Sequence, residues 1–139
     1  MKKHFSVAAL CFALFFSAAF VSESRTQNSS SFNSFWAKFK DAVTREDKQA
    51  LSAMVKYPLS MPYGVKSVKN KTDFVKRYRE IFYKQLEGFP VNNAKKCFAG
   101  ATPEKDENAY IVACNDVVIF RFVSNAGTWK LSGVDNINE

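Results

Sequence analysis

Apolar and polar positions recur along this chain with two different periods, helical in its first two thirds and strand-like in its last third. Phe32, Phe35, Trp36, Phe39 and Val43 stand three and four residues apart, which puts them on one strongly aromatic face of a first helix. Asp47 is placed to cap a second, shorter helix carrying Leu51, Met54 and Val55. Tyr57-Pro58 is expected to stop that helix, because the residue before proline is pushed out of the helical region. Residues 59–63 and 65–68 predict two brief strands around Gly64. Asn70-Lys71-Thr72-Asp73 starts a third helix with Phe74, Tyr78, Ile81, Phe82 and Leu86 on its apolar face, ending by Gly88 before Pro90.

Beyond Val91 the pattern predicts four strands, over residues 95–101, 109–115, 117–124 and 128–134. Residues 102–108 are expected to form the first turn, Asn115-Asp116 a tight break and Asn125-Ala126-Gly127 the last turn. Helices followed by consecutive strands imply an α+β fold, an antiparallel sheet with helices packed on one face.

The N-terminus carries a different signal. Lys2 and Lys3 precede an apolar run over residues 5–21, broken only by Ser6 and Ser17, and the chain turns polar at Ser22. This is the organisation of a bacterial-type signal peptide, residues 1–19, with Ser17 and Ala19 as the small residues before the cleavage point. The alternative is an uncleaved membrane anchor, for which a run of this length reaches only the lower limit of a span. Cys11 follows Leu10, too large a residue to precede a lipid-attachment cysteine. Residues 20–31 are expected to be a flexible polar spacer and residues 32–139 the single folded domain, working in the periplasm or outside the cell.

Cleavage changes the available chemistry, because it removes His4, the only histidine of the 139-residue chain. Histidine-dependent general base catalysis, Ser-His-Asp or Cys-His systems and His-rich metal sites are thereby excluded from the mature protein, and no metal or cofactor is expected. Cys97 and Cys114 remain, and in an oxidising compartment such a pair reads first as a disulfide, the alternative being two buried free thiols on neighbouring strands. Without Lys2 and Lys3, 18 basic residues face 13 acidic ones, a net charge of about +5. Seven of the 18 lie between Lys66 and Lys84, a patch that could attract an anionic partner. The plainer reading pairs Asp73 with Arg77 and Glu80 with Lys84 on the wet face of the third helix. No nucleic-acid motif accompanies the charge, and contact with a membrane is expected only through an uncleaved leader. The sequons at Asn28 and Asn70 are read as chance or as helix-cap chemistry.

Phe35-Trp36-x-x-Phe39-x-x-Ala42-Val43, Asp47, Leu51, Val55, Tyr57-Pro58-Leu59, Phe74-x-x-x-Tyr78-x-x-Ile81-Phe82 and Trp129-Lys130-Leu131-Ser132-Gly133-Val134-Asp135 resemble the nuclear transport factor 2-like superfamily. The resemblance is closest to its small exported bacterial members and covers residues 32–139. It implies a curved sheet wrapped around N-terminal helices and a central helix, a cystatin-like cone whose open end is a pocket. In relatives that pocket hosts ketosteroid isomerisation, scytalone dehydration or polyketide cyclisation, while other members only bind. The dehydratase type uses histidine, and no acid here matches the catalytic acid of the isomerases and cyclases residue by residue.

For the pocket, Tyr57, Tyr63, Tyr78 and Tyr110 offer phenol donors, with Tyr78 foremost because it lies on the apolar face of the third helix. Trp36 and Trp129 are core anchors or rim aromatics, and Asp116 and Asp135 are the acids nearest strand ends. Arg121 interrupts an apolar strand in which Ile119, Arg121 and Val123 share one face. The resemblance implies that this outer face is where a homodimer would form, and the competing role for Arg121 is a clamp on a ligand carboxylate. The expected function is a non-enzymatic exported binding module for a small apolar ligand or an envelope protein. An acid- and tyrosine-dependent isomerase or cyclase, or an inhibitor of another envelope protein, is the alternative.

Overall fold

The computed structural model describes the backbone of residues 24–138 and the side chains of residues 32–138. The expected leader, residues 1–19, lies outside the described residues. Helix α1 (Ser24–Thr44) buries Phe32, Trp36, Phe39 and Val43 on one face and exposes Asn33, Ala37 and Asp41 on the other, as the spacing predicts. It ends where Glu46 takes a left-handed φ of 53° and the Asp47 amide donates to the Ala42 carbonyl. The Asp47 carboxylate then accepts from the Ala50 amide at 3.0 Å and caps α2 (Lys48–Ala53).

Val55 is not on that helix. It opens strand β1 (Val55–Ser60), which contains a cis Tyr57-Pro58 bond and pairs with β5 in an irregular register between Val55 and Ser60. Pro58 is tolerated because it lies in the irregular stretch of an edge strand, where regular ladder pairing is already interrupted. The two brief strands expected around Gly64 reduce to one bridge, Leu59 with Val68. The third helix is likewise interrupted, into α3 (Lys71–Lys76), α4 (Tyr78–Phe82) and a 3-10 turn at Lys84–Leu86. The break falls at Arg77, whose guanidinium reaches sideways to the Lys66 and Ser67 carbonyls. The apolar face survives the break, since Phe74, Tyr78, Ile81, Phe82 and Leu86 are all buried.

The segment expected as a strand over residues 95–101 is helix α5 (Ala94–Gly100). Asn93 accepts from the Lys96 amide at 2.9 Å and caps it, and Ala94, Cys97 and Phe98 bury one helical stripe. Cys97 is bonded to Cys114 with their Cα atoms 5.7 Å apart, so the disulfide joins a helix to a strand rather than two strands.

Five strands form one sheet in the order β1-β5-β4-β3-β2, with β2 (Glu104–Asp106), β3 (Ala109–Cys114), β4 (Val118–Asn125) and β5 (Thr128–Asn136). β2 lies in the stretch expected as a turn, which shrinks to Glu107-Asn108. The later turns are the expected ones: Asn115 and Asp116 at φ 53° and 59°, then Ala126 and Gly127 at 50° and 76°, the left-handed pairs that tight hairpins require. Three strand pairs are antiparallel, and β1 joins β5 in parallel. The architecture is thus α+β, with helices on the concave side of the sheet.

Aromatic rings fill the space between the layers. Phe39 meets Phe122 edge-on at 5.1 Å, Phe98 meets Phe120 at 4.9 Å, and Phe82 stacks on Phe120 at 5.9 Å. Such pairs add to the hydrophobic burial that holds helices to sheet. Among the described residues no helix is long and apolar enough to cross a membrane.

Candidate functional site

The structure distributes the sequence-derived candidates among different environments. Tyr78 is 2% exposed, wedged on α4 between Phe74 and Phe82, with Lys48 Nζ 5.3 Å from its ring centre. Burial, then the neighbouring Tyr83 and Glu46, raise its phenol pKa well above the ordinary value. Tyr57 donates its hydroxyl to the Ser52 carbonyl at 2.9 Å, and burial pushes its pKa up to about 12. Both are neutral phenols at physiological pH. Tyr110 is half-buried, stacked on Phe32 at 3.7 Å and edge-on to Trp129 at 5.3 Å. Trp36 is 5% exposed, and among the described residues its indole Nε1 has no hydrogen-bond partner.

Asp135 is exposed on β5 opposite Ile119, and Asp116 is exposed in its turn. Tyr63 is 89% exposed on a loop. The acid that does meet a tyrosine is Glu46, which accepts the Tyr83 hydroxyl at the surface, between the end of α1 and the end of α4. That hydrogen bond is the first cause, before burial, of a raised Tyr83 pKa. Arg121, Ile119 and Val123 share the outer face of β4 as alternation requires. Arg121 spends its charge on Asp106 of the edge strand β2 at 2.8 Å, and Ile119 and Val123 are half-buried.

Four surface clefts differ in the charges that line them. The largest, about 530 Å³, mixes Arg79 and Lys84 with Glu80 and Glu87. A second of about 510 Å³ mixes Lys66, Lys69 and Arg77 with Asp73 and Glu80, and an outer-sheet groove of about 250 Å³ holds Arg121 beside Asp135. The fourth, about 360 Å³, lies between α1 and the β4–β5 hairpin, and among the described residues its charged lining is cationic, Lys38 and Lys130, beside Phe35, Met54 and Trp129. Its walls are set by long-range pairing: the Leu131 amide donates to the Met54 carbonyl at 2.9 Å, and Lys130 Nζ donates to the Ala53 carbonyl. Of its lining, Phe35, Met54, Trp129 and Lys130 belong to patterns visible in the sequence, but only Trp129 reads there as a rim residue. Lys38, three residues beyond Phe35 on the edge of the aromatic stripe, is the signal that sequence reasoning missed. Among the described residues no group of His, Cys, Asp and Glu side chains is arranged to hold a metal ion.

The helices-on-sheet architecture is similar to the 1.16 Å crystal structure of an NTF2-like protein with a cystatin-like fold from Novosphingobium aromaticivorans. The TM-score is 0.43 with 10% sequence identity, over 80% of this chain and 81% of that one. No protein-family model matches the chain, and no curated protein matches it.

Proposed function

We propose that this chain is an exported, non-enzymatic binding module whose ligand is a small apolar molecule bearing an anionic group, seated between α1 and the β4–β5 hairpin. The carrying observation is the cleft of about 360 Å³ in which, among the described residues, the charged ones are lysines alone, beside Phe35, Met54 and Trp129. An apolar floor with a few convergent polar groups is the common composition of a small-molecule site. Lys38 and Lys130 would hold the anionic end, while Phe35 and Trp129 would receive the apolar body. The non-enzymatic reading draws on the placement of the acids: Asp116 and Asp135 are exposed, and Tyr78 and Tyr57 are neutral phenols held by packing or by a carbonyl. Export rests on the leader-like composition of residues 1–21.

Titration with anilinonaphthalene sulfonate, read by the dye's own emission, and with straight-chain carboxylates, read by displacement of the dye, tests the reading. The parent saturates, and Lys38→Glu/Lys130→Glu binds at least about tenfold more weakly, the loss of charge-assisted contacts. Equal binding by parent and variant would overturn the assignment.

A protein partner or a second copy of the chain is favoured by a different observation. Ile111, Ile119 and Val123 form a half-buried apolar strip on the outer sheet face beside the Arg121–Asp106 pair.

A further inference from the structure

The loop between β1 and α3 presents its side chains as a built surface. Pro62 is buried, the Val65 amide donates to the Pro62 carbonyl at 2.9 Å, and Gly64 sits at φ 77°. A left-handed glycine at the third position of a four-residue turn is the type II arrangement, and it leaves Tyr63 at the apex. Its ring is 89% exposed, whereas the other aromatic rings among the described residues are buried or half-buried. The loop base is pinned by the Leu59–Val68 bridge and by Arg77, which donates to the Lys66 carbonyl at 2.8 Å and the Ser67 carbonyl at 3.2 Å.

Charge is arranged around that apex in an equally specific way. The two acids of the segment, Asp73 and Glu80, are both taken by Arg77, at 3.6 Å and 2.7 Å. The expected Glu80–Lys84 pair does not form, because Glu80 turns back to the helix break where Arg77 stands. Lys66, Lys69, Lys71 and Lys76 are exposed, and among the described residues none of them is in an ion pair. Arg77 therefore neutralises both acids of the segment, and four lysines are left beside one projecting aromatic.

We infer that this loop docks on an anionic phospholipid bilayer, with Tyr63 entering the interface and the four lysines over the headgroups. Tyrosine suits that position because its ring is apolar and its hydroxyl stays wet. Lysines near an anionic leaflet each strengthen binding by about fivefold at physiological salt. A soluble polyanion would satisfy the lysines and give Tyr63 nothing to bury in, which is why the bilayer fits better. The α1–hairpin cleft plays no part, so this surface stands or falls separately from the proposed ligand site.

The test measures partition of the full chain onto phosphatidylglycerol-containing vesicles and onto pure phosphatidylcholine vesicles, and takes the ratio of the two. The apolar residues 5–21 are common to every variant, so differences in the ratio belong to the substituted positions. Lys66→Gln/Lys69→Gln/Lys71→Gln/Lys76→Gln is expected to lower the ratio on the order of 100-fold or more. Lys56→Gln/Lys95→Gln/Lys96→Gln/Lys105→Gln removes the same charge from exposed positions elsewhere and is expected to change it by less than about fivefold. Tyr63→Ser is expected to weaken binding to the anionic vesicles several-fold. All these side chains are exposed, and unchanged far-UV spectra accompany each result. An unchanged ratio for the loop variant, or an equal fall for both quadruple variants, overturns the proposal. Parent-like binding by Tyr63→Ser overturns the bilayer in favour of a purely electrostatic surface.

Discussion

Trp36 carries a polar N–H into the most aromatic part of the core, where it finds no partner among the described residues. Its rings lie 5.2 Å from Phe98 and 5.6 Å from Phe122, both edge-on, and 6.2 Å from Phe39. A buried donor without an acceptor costs about 1–3 kcal/mol. Trp36→Phe removes that donor and keeps one six-membered ring among the same neighbours. Against the gain stand a void of about 40 Å³, costing about 1 kcal/mol, and a similar loss from the missing apolar carbons. The terms nearly cancel, so Trp36→Phe should change stability by no more than about 1 kcal/mol, whereas Trp36→Ala should cost about 3–5 kcal/mol. Urea unfolding followed by far-UV circular dichroism without reductant separates the two, since a slope of about 1–1.5 kcal/mol per molar turns them into midpoint shifts of under about 1 M and over about 2 M. A Trp36→Phe loss above about 2 kcal/mol would refute the reasoning, because it would mean that the indole N–H is satisfied in the folded protein.

Two further outcomes follow from the cross-links of the fold. Cys97→Ala/Cys114→Ala should lose at least about 3 kcal/mol in the same assay, since the bridge closes a separation of 17 residues; a loss below about 1 kcal/mol would show that α5 and β3 are held together without it. Glu80 is held below its ordinary pKa of 4.5 first by its hydrogen bond to Arg77, with burial opposing and the charges of Arg77 and Lys84 assisting. A lowered folded-state pKa contributes stability that is complete above the unfolded value and is lost as pH falls through the folded one. Glu80→Gln should therefore be less stable than the parent at pH 7, by under about 1 kcal/mol for so solvated a pair, and the gap should close in acid. A gap that widens as pH falls would reverse the assigned sign.

The parts of this fold legible in the sequence are those written in local patterns. The aromatic stripe of α1 spans several turns, Asp47 announces its helix by a cap, and β3 to β5 are set off by left-handed turn residues, with β4 alternating from Val118 to Val123. The α5 segment was hidden because seven residues are too few for a period to assert itself, even with Asn93 in the capping position. β1 was hidden because Pro58 speaks locally against a strand, and only its place in an irregular stretch of the edge strand makes the proline harmless.

The proposed ligand cleft depends on the same hidden strand. β1 runs parallel to β5, with Val55 opposite Leu131, and that pairing brings the end of α2 against the start of β5. Met54 and Lys130 thereby become neighbours although they stand far apart in the chain, and α1 closes the third side with Phe35 and Lys38. No periodicity encodes a parallel pairing between distant segments, because each strand looks the same whichever partner it finds. The core candidates Tyr78 and Trp36 were conspicuous because large apolar side chains mark the interior, and interior packing is what the structure gives them. Lys38, Lys66 and Lys130 are conspicuous only when their surroundings are known: a cation is ordinary on a surface until the acids that would pair with it are found committed elsewhere or missing from the cleft it lines.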